Sequence, residues 1–131
     1  MKIYRPEKKS IFNIHDGIKW IFQIIVGLSS LKSHKKSHNF QDTPDDTCRC
    51  TLSPETSQHY FLHCPDFINH RHELFQIINP IMFANNMRFL DDNNLVHLLL
   101  YGHEKLEFHE NKSILKATIN FITNSLRFSQ M

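Results

Sequence analysis

The sequence predicts a small, mainly α-helical domain that includes one short loop or hairpin. Its 131 residues include eleven phenylalanines and only three glycines, a composition that favours packed helices over a turn-rich β fold. In several segments apolar residues recur every three or four positions, as they do along one face of a helix. The length of the chain suits one ordinary domain with a core of its own.

The pattern divides the chain into three segments: an amphipathic N-terminal helix within residues 1–30, a basic segment with a cysteine- and histidine-containing module at 31–80, and a C-terminal helical pair at 81–131. The first helix is predicted over residues 9–29. Its apolar stripe has to pack against the rest of the chain or against another protein. The stripe consists of Ile14, Ile18, Ile21, Ile25 and Leu28.

A basic, polar stretch follows at residues 31–40. Residues 1–40 carry eight lysines and arginines against two carboxylates, whereas residues 41–66 carry five carboxylates against one arginine. This uneven charge permits contact with the phosphates of RNA or DNA, because such contact needs exposed cations rather than a base sequence. The alternative is a solvated linker. The cations predicted to contact phosphates are Lys32, Lys35, Lys36 and Arg49.

Four further helices are predicted downstream. Ser53, followed by a proline and a glutamate, is a good N-cap. Asn79-Pro80 is predicted to close the helix before it, because a proline lacks the backbone N–H that a helix needs. The buried stripe of the last helix is predicted to be Ile114, Leu115, Thr118, Ile119, Phe121, Ile122 and Leu126. The four helices are predicted over residues 54–63, 65–78, 95–101 and 111–127, with a loop or short helix at 80–94.

All three cysteines lie within 17 residues and, with one histidine, form the pattern Cys-x-Cys-x8-His-x4-Cys. Three thiolates and an imidazole suit a tetrahedral zinc ion, and a structural zinc site uses all four positions for protein ligands. The sequence therefore predicts a zinc ion that holds the loop or hairpin together. Its predicted ligands are Cys48, Cys50, His59 and Cys64.

Two features of the spacing leave alternatives open. Only Arg49 separates the first two cysteines, whereas zinc modules usually place about two to four residues there, so the turn has to be tight. His63 lies four residues after His59 on the same predicted helical face and is a rival fourth ligand. Without a metal, the same segment would contain three reduced, partly buried cysteines and a core histidine.

We find no arrangement of residues typical of a catalytic site. The run Phe89-Leu90-Asp91-Asp92 has the aromatic-x-Asp-Asp pattern of polymerase active sites, in which paired carboxylates hold two metal ions. No alternating apolar strands flank this run, so capping of the following helix explains the two aspartates better. The sequence predicts no catalytic residue and a protein that is not an enzyme.

The cellular compartment is predicted from apolar runs and cysteine number. No apolar run reaches the length of about 18 residues that a membrane span needs. The N-terminus is charged and has no small-residue cleavage site of a signal peptide. An odd number of cysteines does not form a closed set of disulfides, which favours a reducing compartment. We therefore expect an intracellular protein of the nucleus or cytoplasm, with no membrane partner.

Several motifs in a fixed order resemble the tail of non-LTR (LINE-type) retrotransposon polyproteins, which lies downstream of their reverse transcriptase domain. The likeness covers about residues 20–128. The motifs are the run Gly27 to Phe40, Asp42-Thr43-Pro44, the Cys-x-Cys pair, Glu55-Thr56-x-x-His59-x4-Cys64-Pro65, Leu98-Leu99-Leu100-Tyr101-Gly102, and the apolar helix between Asn111 and Phe128.

The resemblance implies that Cys48, Cys50, His59 and Cys64 are the metal ligands, and that the module handles RNA or DNA during target-primed reverse transcription. The polymerase, endonuclease and RNase H parts of such polyproteins have no counterpart in the sequence. We expect a non-catalytic, zinc-stabilised, nucleic-acid-binding tail fragment of a reverse transcriptase. The alternatives are a helical module that docks on the parent polymerase domain or another protein through its N-terminal helix, and a decayed retroelement product without selected function.

Overall fold

A computed structural model describes residues 14–38, 45–87 and 89–128 of the chain. These residues are mainly helical, which confirms the predicted fold class. Strand pairing in the described ranges is confined to one antiparallel bridge, between Thr47 and Pro54. The elements are α1 (Ile14–Ile25), α2 (Lys32–Ser37), a π-helical turn (His59–His63, the π turn), a 3-10 turn (Pro65–Phe67), α3 (Ile68–Ala84), α4 (Asp92–Tyr101) and α5 (Phe108–Ser125).

Helix α5 is the centre of the fold and packs against α1, α3 and α4. Ile114 and Ile122 on α5 are completely buried. Thr118 is also completely buried, and its hydroxyl donates to the carbonyl of Leu99 on α4 at 3.0 Å. On the α1 side, a Cβ atom on Gly17 would collide with the α5 side chains, so the glycine allows the two helices to approach closely.

An aromatic cluster joins the π turn to α5 and to the residues that follow it. The Tyr60 ring is completely buried and packs edge-on against Phe67, Phe121 and Phe128, at centroid distances of 5.2, 5.2 and 5.3 Å. The Tyr60 hydroxyl lies 2.6 Å from the Ser125 hydroxyl, so the polar atom of the buried ring has a partner. The π turn is therefore fixed to the helical core by packing.

The prediction that Asn79-Pro80 ends a helix is wrong. Helix α3 continues to Ala84 with Pro80 inside it. Pro80 is exposed, whereas Ile78 and Met82, on either side of it, are buried in the core. Burial of this apolar face outweighs the hydrogen bond that the proline cannot make. The first residues of the predicted loop or short helix at 80–94 are therefore the last turn of α3.

Helices α4 and α5 each begin three residues earlier than predicted. The Asp91 carboxylate accepts a hydrogen bond from the Asn94 N–H at 2.9 Å and caps α4, which begins at residue 92. Capping was predicted for this aspartate pair, and Asp91 caps the helix while Asp92 lies in its first turn. Glu107 and Glu110 form a capping box, and α5 therefore begins at residue 108.

The predicted apolar stripes are only partly buried. On α5 the two exceptions are Leu115 and Leu126, which are 39% and 45% exposed. On α1 the predicted stripe residue Ile18 is 48% exposed, and Leu28, which is 60% exposed, lies beyond α1 because the helix ends at Ile25 rather than at the predicted residue 29. The side chains that α1 buries are Trp20, Ile21 and Ile24. The predicted helical residues 9–13 and the motif residues 39–44 lie outside the described ranges, and so does the Ile14 side chain.

Candidate metal centre

Cys48 and Cys50 lie on a tight turn, which we call the cysteine turn (residues 46–55). The Cys48 N–H donates to the carbonyl of Ser53, and the Thr51 N–H donates to the carbonyl of Cys48, each at 2.8 Å. Thr51 has a φ of 70°, a left-handed conformation that lets the chain reverse within a few residues. The turn is as tight as a single residue between two cysteines requires.

His59 and Cys64 come from the two ends of the π turn. The Cys64 N–H donates to the carbonyl of His59 at 2.7 Å, which is a five-residue step. In an α-helix, two residues five positions apart would point about 140° apart around the helix axis. The wider π turn brings them to the same side. The sequence predicted an ordinary helix over residues 54–63 that ends before Pro65, and the structure corrects residues 59–63 of it to the π turn.

Thr56 caps the short helix that contains the π turn, so the prediction of an N-cap at Ser53 is wrong. The Thr56 hydroxyl accepts from the His59 N–H at 3.1 Å, while Pro54 stays extended in the bridge with Thr47. The Ser53 hydroxyl instead lies 2.8 Å from Nδ1 of His59. When Nδ1 donates to Ser53, Nε2 carries no proton and can bind a metal.

The four predicted ligands converge on one point, and we call them the Cys/His cluster (Cys48, Cys50, His59 and Cys64). Their ligand atoms all lie within 4.8 Å of one another. The sulfurs of Cys48 and Cys64 are 3.8 Å apart, and the Cys50 sulfur lies 3.2 Å from Nε2 of His59. Three of the residues are buried and Cys50 is partly exposed. The cluster can therefore hold a metal ion.

Burial favours the neutral forms of Cys48, His59 and Cys64. It raises the pKa of the Cys48 thiol, and it raises the pKa of the Cys64 thiol to about 12. The backbone N–H groups of Cys50 and Asp66 donate to these two sulfurs and partly offset the rise in pKa. Burial lowers the pKa of His59, and the nearby His63 lowers it further. A metal ion that binds here must displace thiol protons.

His63, the rival fourth ligand, is engaged elsewhere. Its Nε2 atom lies 2.7 Å from a carboxylate oxygen of Asp92, and its side chain is 55% exposed. One residue before the π turn, the Gln58 side chain donates to Asn93. These contacts join the π turn to the start of α4. Since the His63 ring does not belong to the convergent group, the geometry selects His59.

A buried glutamate anchors the cysteine turn, and sequence reasoning missed it. Glu55 is 4% exposed, and its two carboxylate oxygens accept from Nε and Nη2 of Arg127, both at 2.6 Å. One of these oxygens also accepts from the Lys32 N–H at 2.8 Å. Burial acts to raise the pKa of the Glu55 carboxyl, but the bonds and charge of Arg127 outweigh it, so the pKa is lowered. No local pattern indicates a partner 72 residues away.

The cations predicted to contact phosphates differ in their surroundings. The Lys32 ammonium donates to the carbonyl of Thr47 at 3.0 Å, so it also supports the cysteine turn. The Lys36 ammonium lies 4.0 Å from Asp46, and the Lys36 side chain is 53% exposed. Lys35 is half-buried on α2. Of these three lysines, Lys36 is the most available to a ligand.

Arg49 is exposed at the tip of the cysteine turn, between the two cysteines of the cluster. It lines a pocket of about 200 Å³ together with Lys32, Cys48 and Arg127, and the acidic residues Glu55 and Asp66 line the same pocket. The Arg127 guanidinium is already bound to Glu55, as described above. The fold thus brings two of the four predicted phosphate-contacting cations to one pocket, and Cys48 of the cluster lines the same pocket.

Comparisons with protein-family models, with curated proteins and with solved structures find no match to the chain in any of the three. The resemblance to retrotransposon tails therefore stays a prediction that rests on the motifs of the sequence. Among the described residues, none of the helices has both the length and the apolar character needed to cross a membrane.

Proposed function

We propose that the Cys/His cluster holds a structural zinc ion and that the chain is a non-catalytic module that binds RNA or DNA. The observation that carries this proposal is the convergence of four soft ligand atoms directly beside a pocket lined by Lys32 and Arg49. The motif resemblance supports an origin in the tail of a non-LTR reverse transcriptase. Zinc would fix the cysteine turn and so hold Arg49 in place beside α2.

The donor set and its spacing support zinc. Two sulfurs that each lie about 2.3 Å from a tetrahedral zinc ion are about 3.8 Å apart. The separation of the Cys48 and Cys64 sulfurs is 3.8 Å, which equals this tetrahedral edge. The hydroxyl of Ser53 contacts Nδ1 of His59 and so fixes the orientation of the ring, as hydrogen-bond partners of zinc-binding histidines do. Four protein ligands leave no open position, so the site suits a structural role.

Elemental analysis of the purified chain tests the zinc centre. We expect one zinc ion per chain, and we expect that ion to be lost in Cys64→Ser. His63→Ala is the matched control, because His63 contacts Asp92 rather than the cluster, and it should keep its zinc. Cobalt substitution should give the intense visible absorption of a tetrahedral site with several thiolates. Zinc retained in Cys64→Ser, or lost in His63→Ala, would show that the ligand set is wrong.

The exposed cations around the cluster support the nucleic-acid half of the proposal. Arg49 and Lys36 are the two predicted contacts that are exposed to solvent. The Lys32 ammonium donates to the carbonyl of Thr47 and so holds the cysteine turn beside them. Cations in this arrangement bind phosphates without reading a base sequence and release counterions as they do so. Affinity for RNA or DNA should therefore fall steeply as the salt concentration rises.

A double substitution tests this surface. In Lys36→Ala/Arg49→Ala we expect weaker binding of a single-stranded oligonucleotide at low salt, measured by fluorescence anisotropy. The slope of log affinity against log salt is negative, and it should become shallower by about 1.4, because each phosphate contact on a single strand contributes about −0.7. Lys112→Ala/Lys116→Ala removes the same charge from the exposed side of α5 and should leave the slope unchanged. Equal salt slopes in the two double variants would contradict the proposal that Lys36 and Arg49 contact phosphates.

A second candidate function is a helical interaction module that docks on the parent polymerase domain or another protein through α1. Ile18, Phe22 and Val26 are spaced four residues apart and are 48%, 63% and 44% exposed. This apolar stripe lies beside the face that α1 buries in the core. A stripe of this kind on a helix is typical of a protein contact. Self-association or partner capture that Phe22→Asp abolishes, in a chain without oligonucleotide affinity, would favour this candidate.

A further inference from the structure

A groove outside the metal centre runs along the outer face of α4 and the loop that follows it. Its volume is about 690 Å³, within the range of about 300–1,000 Å³ that is typical of ligand sites. Asn94, His97 and Tyr101 line it from α4 at three- and four-residue steps, and His103 and Glu104 line it from the loop. None of these residues belongs to the metal centre or to the cations around it.

An aromatic platform forms one wall of the groove. The rings of His97 and Tyr101 are stacked, with their centroids 4.4 Å apart and their planes 24° from parallel. The Tyr101 side chain is 57% exposed, so most of the ring faces solvent rather than the core. An exposed tyrosine that is held by a stacked neighbour offers a flat surface to another aromatic ring.

The polar groups of the groove suit an uncharged ligand. Among its lining residues, Glu104 is the one carboxylic acid, and none is a lysine or arginine. A phosphate would therefore find no lysine or arginine in the groove, whereas a base edge finds both amide and carboxyl groups. His103 accepts from the Lys105 N–H through Nδ1 at 3.0 Å, so its neutral ring carries a proton on Nε2 and can donate it.

The groove is already formed in the folded chain. The Asn111 side chain accepts from the His103 N–H at 2.9 Å and donates to the His103 carbonyl at 3.0 Å, which fixes the loop against α5. Gly102 has a φ of +74°, and a Cβ atom on it would lie 2.6 Å from the Asn111 side-chain oxygen. Glycine is therefore required where the loop closes the groove.

We infer that this groove binds one unpaired base of a single-stranded nucleic acid, stacked on Tyr101. The inference rests on the proposed nucleic-acid-binding function and names the part of the ligand that the groove takes. At its N-terminal end α4 contacts the π turn of the metal centre through the Asp92–His63 pair, so the helix that lines the groove is joined to that turn.

A neutral nucleoside tests the groove apart from the phosphate surface. We expect millimolar adenosine to shift the ring NMR signals of Tyr101 and His97, whereas ribose 5-phosphate, which has no base, should leave them unchanged. Tyr101→Ala should abolish the shifts at His97, and Tyr101→Phe should keep them. Phe108→Ala removes an exposed ring that does not line the groove and should have no effect. Ring signals unchanged by adenosine would overturn the inference.

A single-stranded oligonucleotide then separates this inference from the proposed function. Stacking of one base should make Tyr101→Ala bind about tenfold more weakly, with the salt slope unchanged. If only Lys36→Ala/Arg49→Ala weakens binding, the groove is refuted and the proposed function stands. If only Tyr101→Ala weakens it, the phosphate surface is refuted and the groove stands. If the unaltered chain does not bind the strand, both are refuted.

Discussion

The cysteine turn and the helical core of this protein are held together in opposite ways. In the core, α3 and α5 bury apolar side chains against each other, and Ile78, Ile114 and Ile122 are completely inaccessible to solvent. The cysteine turn buries little apolar surface, and its leucine, Leu52, is 71% exposed. The turn is held instead by the ion pair of Glu55 with Arg127, and it carries two residues of the Cys/His cluster, which can hold a metal ion.

Because of this difference, the two regions should be destabilised by different treatments. Apolar packing responds mainly to the loss of buried volume, whereas metal ligands and ion pairs respond to chelators and acid. The π turn belongs to both regions, because His59 is part of the cluster and the ring of the next residue, Tyr60, is buried in the aromatic cluster. Unfolding of the cysteine turn should therefore not extend beyond the π turn, because the aromatic cluster holds that turn in the core.

Metal removal should have the largest effect. In zinc-finger peptides the metal supplies about 10–16 kcal/mol of apparent free energy near pH 7. After chelation we expect amide hydrogen exchange at residues 46–55 to rise to nearly the rate of an unfolded chain, while α3 and α5 keep most of their protection. Hydrogen exchange with and without EDTA, read residue by residue by NMR, measures the two regions at once. Equal loss of protection in α5 would show that they unfold as one unit.

Tyr60→Ala should have the next largest effect and should act on both regions together. Removing a completely buried aromatic ring leaves a cavity and destabilises a fold by about 3–5 kcal/mol. The free energy of unfolding, measured by urea titration of the zinc-loaded chain, should fall by this amount. Tyr60→Phe is the matched control, because it keeps the ring and loses only the bond to Ser125, so it should cost about 1 kcal/mol. A similar decrease in the free energy of unfolding in both variants would show that the hydroxyl, and not the buried ring, provides the stabilisation.

Glu55→Gln should destabilise the cysteine turn by about 3 kcal/mol at pH 7, because it leaves the partly buried guanidinium of Arg127 without a counter-charge. The folded pKa of the Glu55 carboxyl is lowered, so its contribution is present above its unfolded pKa of about 4.3 and is lost as the pH falls through the folded pKa. The difference in unfolding free energy between the two proteins should therefore shrink below about pH 4.

Urea titrations of both proteins at matched pH and zinc concentration measure that difference. The zinc content of both proteins is determined at each pH, because thiols that regain their protons in acid release the metal. Glu73→Gln, on the exposed side of α3, is the control and should change stability by less than about 0.5 kcal/mol at any pH. A Glu55→Gln effect that stays constant from pH 7 to pH 3 would contradict the assignment to an ion pair.

The same comparison explains what the sequence could predict. Periodic apolar residues and caps indicated the helices, because those signals are local, and the Cys/His pattern indicated the cluster for the same reason. The partner of Glu55 and the π turn could not be predicted, since the first depends on a contact across 72 residues and the second on a rare hydrogen-bond step. The sequence left open whether the α1 stripe packs against the rest of the chain or against another protein, because a periodic stripe shows that a face is apolar without showing what covers it.

Pro80→Ala should have the smallest effect and should stabilise only the helical core. An interior proline costs a helix about 3 kcal/mol relative to alanine, and the stiffer unfolded chain that proline gives offsets part of this cost. We expect a gain of about 1–2 kcal/mol and a thermal midpoint higher by about 4–8 °C. Asn79→Ala, at the exposed neighbouring position, is the control for helix propensity and should gain less than about 1 kcal/mol. Hydrogen exchange in the cysteine turn should be the same in the unaltered chain and in both variants. Slower exchange there in Pro80→Ala would mean that stabilising α3 also stabilises the cysteine turn, so that the two regions do not respond independently.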